Sequence, residues 1–389
     1  MIISDDFFDQ LHIQLQKGLP FVAYRKPESK PSRHQAEPRV KAFLQSDSQL
    51  YQVDDYTESG FVFAPFDQEE SAILIPLEKS TCIETVLNSS SENSDSSKDI
   101  AVEAEAAKNS HIELVEKGIA TIRSGKLQKV VLSRQEIFDF ADSLEDAVKL
   151  FHKLLATYSS AFVYIWFHPE IGLWLGATPE ALLEVERSRF KTMALAGTQK
   201  YQGTEDVTWG EKEKVEQQLV TDSVLNDLEQ LQSMDKIEHS EPYTTRAGSL
   251  LHLRTDIQGV LKVNVENALK KLIFTLHPTP AICGLPKEAA KDFILKNEAY
   301  HRSYYSGFLG ELNVPVTHHR SSNRNNRENQ AYASIVKTTR LFVNLRCMQL
   351  VGNKAVLYIG GGITKDSNAE KEWEETQNKA QTMKAVLVK

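Results

Sequence analysis

Two stretches of the chain place glutamates three residues apart, Glu213 with Glu216 and Glu372 with Glu375, and Lys379 follows the second pair by four. On a helix, residues three and four apart share one flank, so each pair would present two carboxylates together and Lys379 would join the second. Apolar positions run beside both: Val215, Leu219, Val220, Val224 and Leu228 near the first, Trp373, Ala380, Met383 and Leu387 near the second. A carboxylate at the edge of a buried face is costly unless a positive group relieves it. One such pair reads as a surface helix with a Glu-to-Lys contact, and its repetition in a second helix is what favours a shared cation. Mg²⁺ fits best, because it takes oxygen ligands, keeps waters, and is held by one or two carboxylates plus an anionic substrate. Zinc fits less well, since neither pair is accompanied by His or Cys. Arg346, Lys379 and the amides of a turn at Gly360–Gly362 would suit a carboxylate-bearing ligand. GGGITK lacks the spacing of a nucleotide P-loop.

The elements that must carry these groups are legible in outline. Ser367-Asn368-Ala369-Glu370 matches a capping box, which predicts a helix from about Ala369. A long helix is expected over Trp209–Leu231, with the five apolar positions on one arc. Further helices are expected over Asp99–Gly125, Leu144–Leu155, Asn267–Leu276 and Glu288–Glu298. Strands are expected at Phe21–Tyr24, Phe61–Ala64, Gln128–Phe138, Ala161–Phe167, Gly172–Gly176, Phe190–Ala194 and Leu253–Val263. Leu341–Leu350 and Ala355–Ile359, joined through Gly352-Asn353, form a hairpin signal, and alternation puts Phe342, Asn344, Arg346 and Met348 on one face. Asn88–Lys98 has no apolar residue and reads as a mobile loop. Asn313–Thr339, locally basic but without interleaved aromatics, reads as a solvated loop, and His318-His319 has no partner at ligand spacing.

The 389 residues suffice for two domains or one large α/β unit, and 41% hydrophobic with 25% charged residues is an ordinary globular balance. A net charge of -8 argues against nucleic acid as the main partner. The N-terminus is acidic and amphipathic, no apolar run reaches membrane-spanning length, and a cytoplasmic location is expected. Cys82, Cys283 and Cys347 are isolated, as reduced and mostly buried thiols would be.

Eight segments together resemble the chorismate-utilising enzymes (anthranilate synthase component I-like), and within them the isochorismate synthases. They are KVVLSR (Lys129–Arg134), GATPEALL (Gly176–Leu183), LAGT (Leu195–Thr198), VEQQLV (Val215–Val220), His252-Leu253, LHPTPAICGLP (Leu276–Pro286), LRC (Leu345–Cys347) and EWEET (Glu372–Thr376). They run in family order over about two-thirds of the chain. The resemblance implies an α/β fold of two packed β-sheets flanked by helices. Residues 1–98 would form its N-terminal part, ending in the polar loop 88–98, and 99–389 the chorismate-binding catalytic region, all in one structural unit acting as a monomer.

The resemblance also implies roles. Lys129 falls on the position of the base that activates water, and Glu180 on that of the general acid. Glu216 and Glu375 fall on the magnesium-ligating positions, with Glu213 and Glu372 as partners that reach the metal through water or support its ligands. Arg346, Tyr358, Lys379, Gly360 and Gly362 match groups that hold substrate carboxylates, and Gly197, Thr198 and His252 line the same pocket. The implied reaction adds water at C2 of chorismate while the C4 hydroxyl leaves, giving isochorismate for menaquinone or siderophore synthesis. It needs a lysine that is partly neutral and a carboxylic acid that is partly protonated, and burial pushes both that way. Ala196 stands where aminodeoxychorismate synthases resembling this pattern carry a nucleophilic lysine, which removes a covalent route. Lys129 argues against an anthranilate synthase. Salicylate synthases share Lys129 and Glu180 and are the competing reading, and an inactive chorismate-binding protein is a third.

Overall fold

The fold is given by a computed structural model, which describes residues 2–27, 39–87, 104–139, 146–247, 250–262, 265–319 and 333–387. The expected loop at 88–98 lies outside the described residues. In chain order the strands begin with β1 (Phe21–Arg25), β2 (Arg39–Gln45), β3 (Tyr51–Gln52), β4 (Gly60–Ala64), β5 (Ile73–Pro76) and β6 (Ser80–Val86). They continue with β7 (Lys129–Asp139), β8 (Phe162–His168), β9 (Gly172–Thr178), β10 (Ala181–Glu186), β11 (Arg189–Lys200), β12 (Met234–His239) and β13 (Tyr243–Ala247). The last are β14 (Leu250–Leu261), β15 (Gly284–Leu285), β16 (Phe308–His319), β17 (Ala333–Val343), β18 (Cys347–Val351) and β19 (Lys354–Ile363). Described α-helices are α1 (Ser4–Gln16), α2 (Ala104–Arg123), α3 (Asp146–Thr157), α4 (Glu211–Glu229), α5 (Ala268–Leu276), α6 (Lys287–Asn297) and α7 (Ala369–Leu387).

Two antiparallel sheets result. The first runs β15-β7-β19-β18-β9-β8-β1-β2-β6 and the second β12-β14-β11-β10-β17-β16-β4-β5-β3, with β13 added beside β14. Strands such as Phe21–Arg25 and Gly60–Ala64 are buried at every position, because each sheet has one face on the other sheet and one face under helices. Alternation assigns the two sides. Val22 and Tyr24 point into an aromatic layer between the sheets with Phe61, Phe63, Phe162 and Trp166. Phe21 and Ala23 point outward into a core shared with α1, α3 and α7. The outer face of the second sheet packs on α4 and α5 through Val220, Val224, Leu228, Leu272 and Ile273.

Several expectations are corrected. Leu341–Leu350 is two strands in different sheets, not one: β17 ends at Val343, β18 starts at Cys347, and Arg346 between them has φ 47°. Asn344 causes the switch, since it is fully buried, donates to Tyr304 O (2.8 Å) and accepts from Tyr164 Oη (2.6 Å). The face proposed for Phe342, Asn344, Arg346 and Met348 therefore does not exist. Gly360–Gly362 is no turn, because it lies within β19 and pairs with Ser133, Leu132 and Val131 of β7. The N-cap of α7 is Asn368, whose Oδ1 accepts from Lys371 N (3.1 Å), while Ser367 Oγ accepts from Thr364 N instead. Val215 is 56% exposed, whereas the cysteines are mostly buried as expected, Cys283 and Cys347 inside and Cys82 exposed. Within the expected loop 313–339 the described residues, 313–319 and 333–339, are strand, with β16 and β17 paired from Val314 with Thr338 to His319 with Ala333, and 320–332 lie outside the described residues.

Candidate active site

The sheet opens where β18 departs. β19 keeps β7 on one edge through Ile363, but its pairing with β18 stops at Leu357. Beyond Leu357 no described strand occupies that second edge, and a cavity of about 200 Å³ forms there. Lys129, Glu180, Gly197, Thr198, Glu213, Glu216, His252 and Arg346 line it, together with Tyr358, Gly360, Gly362, Glu372, Glu375 and Lys379. Every site residue singled out in the sequence thus reaches one cavity wall, from β7, β11, β14, β19, α4, α7 and two connections.

Each side chain is held by local structure. Lys129 opens β7, is 2% exposed, and donates from Nζ to Glu216 Oε1 at 2.7 Å. Glu180 sits between β9 and β10, fixed by its N–H to Thr178 Oγ1 (3.3 Å) and its carbonyl to Val343 N (3.0 Å). Burial pushes its carboxyl up to about 7, against the opposing pull of Lys129, Arg346 and Lys379. Tyr358 stacks between Trp174 and Tyr305, each with ring centroids 5.3 Å away, and donates to Gln349 Oε1 at 3.2 Å. Gly197 has φ +68°, and a Cβ there would lie 3.2 Å from Glu213 Cβ, so glycine lets α4 approach the strand.

His252 is lowered to about 4, by burial first and then by Arg346, and is neutral at pH 7. Its Nδ1 is 3.0 Å from Gly197 O, so the proton belongs on Nδ1, and the buried Nε2, without a partner among the described residues, is left as an acceptor. Lys379 Nζ donates to Gly360 O (3.0 Å) and pairs with Glu375 Oε1 (2.7 Å). That lysine is the main reason the Glu375 carboxyl titrates low, whereas burial, with Glu375 beside it, pushes Glu372 up.

Among the described residues no three His, Cys, Asp or Glu side chains form a ready metal cluster. The fit to Mg²⁺ rests on fewer groups. Glu372 Oε2 is buried with no hydrogen-bond partner among the described residues. It lies 3.7 Å, and Glu375 Oε1 3.9 Å, from where a Cβ on Gly361 would sit, an open cradle bounded by two carboxylates. Two carboxylates and waters suffice for Mg²⁺ when an anionic substrate completes the shell. Glu216 Oε1, 3.3 Å from the corresponding point at Gly362, faces the same strand.

Lys212 and Tyr305 also line the cavity, and neither was read from the sequence as a site residue. Lys212 helps to lower Glu375 and opposes the rise of Glu372. Adjacent to Glu213 in a charged helix start, it was indistinguishable from a solvated lysine. Tyr305 reaches the cavity through a tight chain reversal in which Ser303 and Ser306 have φ of 51° and 55°, and no sequence motif announces it.

Residues 56–316 match the family model described as chorismate binding enzyme, and 331–385 match a second model of the same description. Isochorismate synthase MenF of Escherichia coli (strain K12) is 28% identical over 284 residues, 71% of this chain and 59% of that protein. Isochorismate synthase EntC of the same organism is 28% identical over 280 residues, 70% of this chain and 65% of that protein. The chain thus spans less than two-thirds of the length of these two relatives. The solved structure of DhbC from Bacillus anthracis superposes with a TM-score of 0.73 at 21% identity, covering 98% of this chain and 99% of that one. With a family model spanning 56–316 and that fold reproduced end to end, the chain belongs to the chorismate binding enzymes.

Proposed function

We propose that the protein is a Mg²⁺-dependent isochorismate synthase, converting chorismate to isochorismate. The observation that carries this reading is Glu180, a buried carboxyl held near 7 on the wall of the cavity that Lys129 also lines. An acid balanced at that value can donate a proton at neutral pH, which few carboxyls can. Two relatives named isochorismate synthases, each 28% identical, support it.

In this reading Lys129 Nζ takes a proton from the water that adds at C2, and Glu180 gives its proton to the departing C4 hydroxyl. One water enters and one leaves, and both groups are reset by proton exchange with solvent. Glu216 and Glu375 would hold the cation, with Glu213 and Glu372 beside them in support. Bound Mg²⁺ supplies positive charge against substrate carboxylate. Arg346 and Lys379 add further positive charge, and neutral His252 offers Nε2 to a substrate hydroxyl. Ala196, small and 7% exposed, lines the cavity without offering a nucleophile.

In ¹⁸O-labelled water, one early turnover should place one label on the C2 hydroxyl of isochorismate. Unlabelled product would mean an intramolecular hydroxyl shift and would remove Lys129 as the base. Salicylate and pyruvate forming in step with chorismate loss would instead identify a salicylate synthase.

A further inference from the structure

Two of the segments singled out in the sequence contain residues that the proposed chemistry leaves unused, Arg134 in KVVLSR and Trp373 and Thr376 in EWEET. Although 242 residues separate them, Arg134 Nε donates to Thr376 Oγ1 at 2.9 Å. The Thr376 hydroxyl in turn donates to Trp373 O at 2.8 Å, and the guanidinium lies 4.4 Å from the Trp373 ring centroid. His111 of α2 packs near the same indole, with centroids 5.9 Å apart. Arg134 and Thr376 are 7% and 0% exposed, so water does not substitute for these contacts.

Arg134 is five residues beyond Lys129 on β7, an odd separation that turns it to the opposite face, and it does not line the cavity. It touches the residues immediately after Glu372 and Glu375. Neighbours on a helix are 100° apart, so holding positions 373 and 376 fixes where 372 and 375 point. We propose that Arg134 is a positioning residue that sets the rotation of α7 about its axis, and so aims Glu372 and Glu375 at the Gly360–Gly362 segment. The consequence for turnover rests on the isochorismate synthase reading, whereas the clamp itself does not.

The test compares Thr376→Val, which keeps the shape but loses the oxygen, with Thr376→Ser, which keeps the oxygen, and with Arg134→Lys, which keeps the charge but loses the planar fork. Amide hydrogen exchange over 369–380 is measured on the full chain without ligand, and the Mg²⁺ half-saturation and the split between kcat and KM during turnover. Thr376→Val and Arg134→Lys should each speed exchange and raise the Mg²⁺ half-saturation about tenfold, the scale for losing a support behind a ligand. Thr376→Ser should stay near wild type, and the double variant should be no worse than Arg134→Lys alone, because that change, which also loses the pairing with Glu136, already removes the contact that Thr376→Val breaks. Unchanged exchange, or a lower Tm with unchanged Mg²⁺ dependence, would overturn the proposal. A wild-type chain that turns over no chorismate would sink the functional reading alone. Exchange over 369–380 would then still decide the clamp, faster in both variants supporting it and unchanged in both overturning it.

Discussion

Helices α4 and α7 carry the same Glu-x-x-Glu signature yet hold it differently. The first turn of α4 stands in solvent, with the Glu211 side chain 86% exposed and Val215 56% exposed. Its anchor comes later, at Gln217, which donates to Ala194 O and Thr255 Oγ1, both at 3.1 Å. α7 is gripped at the carboxylates themselves, by Arg134 at Thr376 and by Lys379 at Gly360 O, and again by the pairing of Lys384 with Glu136 at 2.6 Å. One pair is therefore preset against β19, and the other reaches in from a looser helix end to meet Lys129. Spacing alone reports that two carboxylates share a flank, and the packing around them decides which is pre-organised.

The largest expected effects fall on turnover. Lys129→Ala and Glu180→Gln should each lose a factor of about 10² to 10⁴, the contribution of a positioned base or acid. Glu216→Gln and Glu375→Gln should each lose about 10² to 10³, as for removal of one group that stabilises developing charge. Near-normal rates in either glutamine variant, at saturating Mg²⁺, would show that one helix suffices.

Stability should separate the helices where turnover does not. Glu216→Gln strips a buried lysine of its anion and should cost roughly 3 kcal/mol. Glu375→Gln should cost under about 1 kcal/mol, since the Lys379 side chain is 27% exposed and keeps Gly360 O. Equal denaturant midpoints for the two would erase the contrast drawn between the helix ends.

Between the sheets, Glu180 gives an effect of similar size with a pH signature. Its folded pKa of about 7 lies above the ordinary 4.5, so the native state holds the proton longer than the unfolded chain does. Stability from this group is full below about pH 4.5 and falls as pH rises to about 7, by about 3 kcal/mol in all. Glu180→Gln removes that loss. It should unfold at higher denaturant than wild type at pH 8, with the gap closing towards pH 5. A gap independent of pH would mean that the carboxyl is not held neutral by burial.

What the sequence revealed, and what it hid, follows the range of the interactions. Both carboxylate pairs, the strands around Lys129 and the helices from Ala268, Lys287 and Ala369 were legible because local periodicity and turn chemistry specify them. The break at Asn344–Arg346 was not, because an apolar alternation runs straight through it, and the groups that hold Asn344 as the chain passes to the other sheet, on Tyr164, Tyr304, Ser306 and Gly307, are remote in sequence. β10 was read only as part of a motif, although it pairs with β11 and β17. The three glycines looked like a turn because flexibility is visible in sequence, whereas the close approach of Glu372, Glu375, Glu216 and Lys129 to β19 is not. Arg134 was visible as a letter in a motif, but its partner 242 residues away was not.

The smallest expected effect is the sharpest test of pre-organisation. Glu372 Oε2 is buried without a hydrogen-bond partner among the described residues, on the helix that holds its carboxylates most firmly. A rigid frame cannot move that charge to water, so without metal Glu372 costs stability, and an uncharged side chain of the same shape relieves it. Glu372→Gln should therefore match or exceed wild type by about 1 kcal/mol in EDTA. Added Mg²⁺ should reverse the order, because a cation bound only by the folded state stabilises it by about 2.7 kcal/mol at a hundred times Kd, and the variant has lost one of the groups that support it. The control is Glu213→Gln on α4, where the helix end is looser and the change in EDTA should stay within about 0.5 kcal/mol. Melting curves of the three proteins, with EDTA and with Mg²⁺, should cross for Glu372→Gln and not for Glu213→Gln. Parallel curves for both would mean that α7 adjusts to its charge as freely as α4 does, and that the preset half of the site is no more preset than the other.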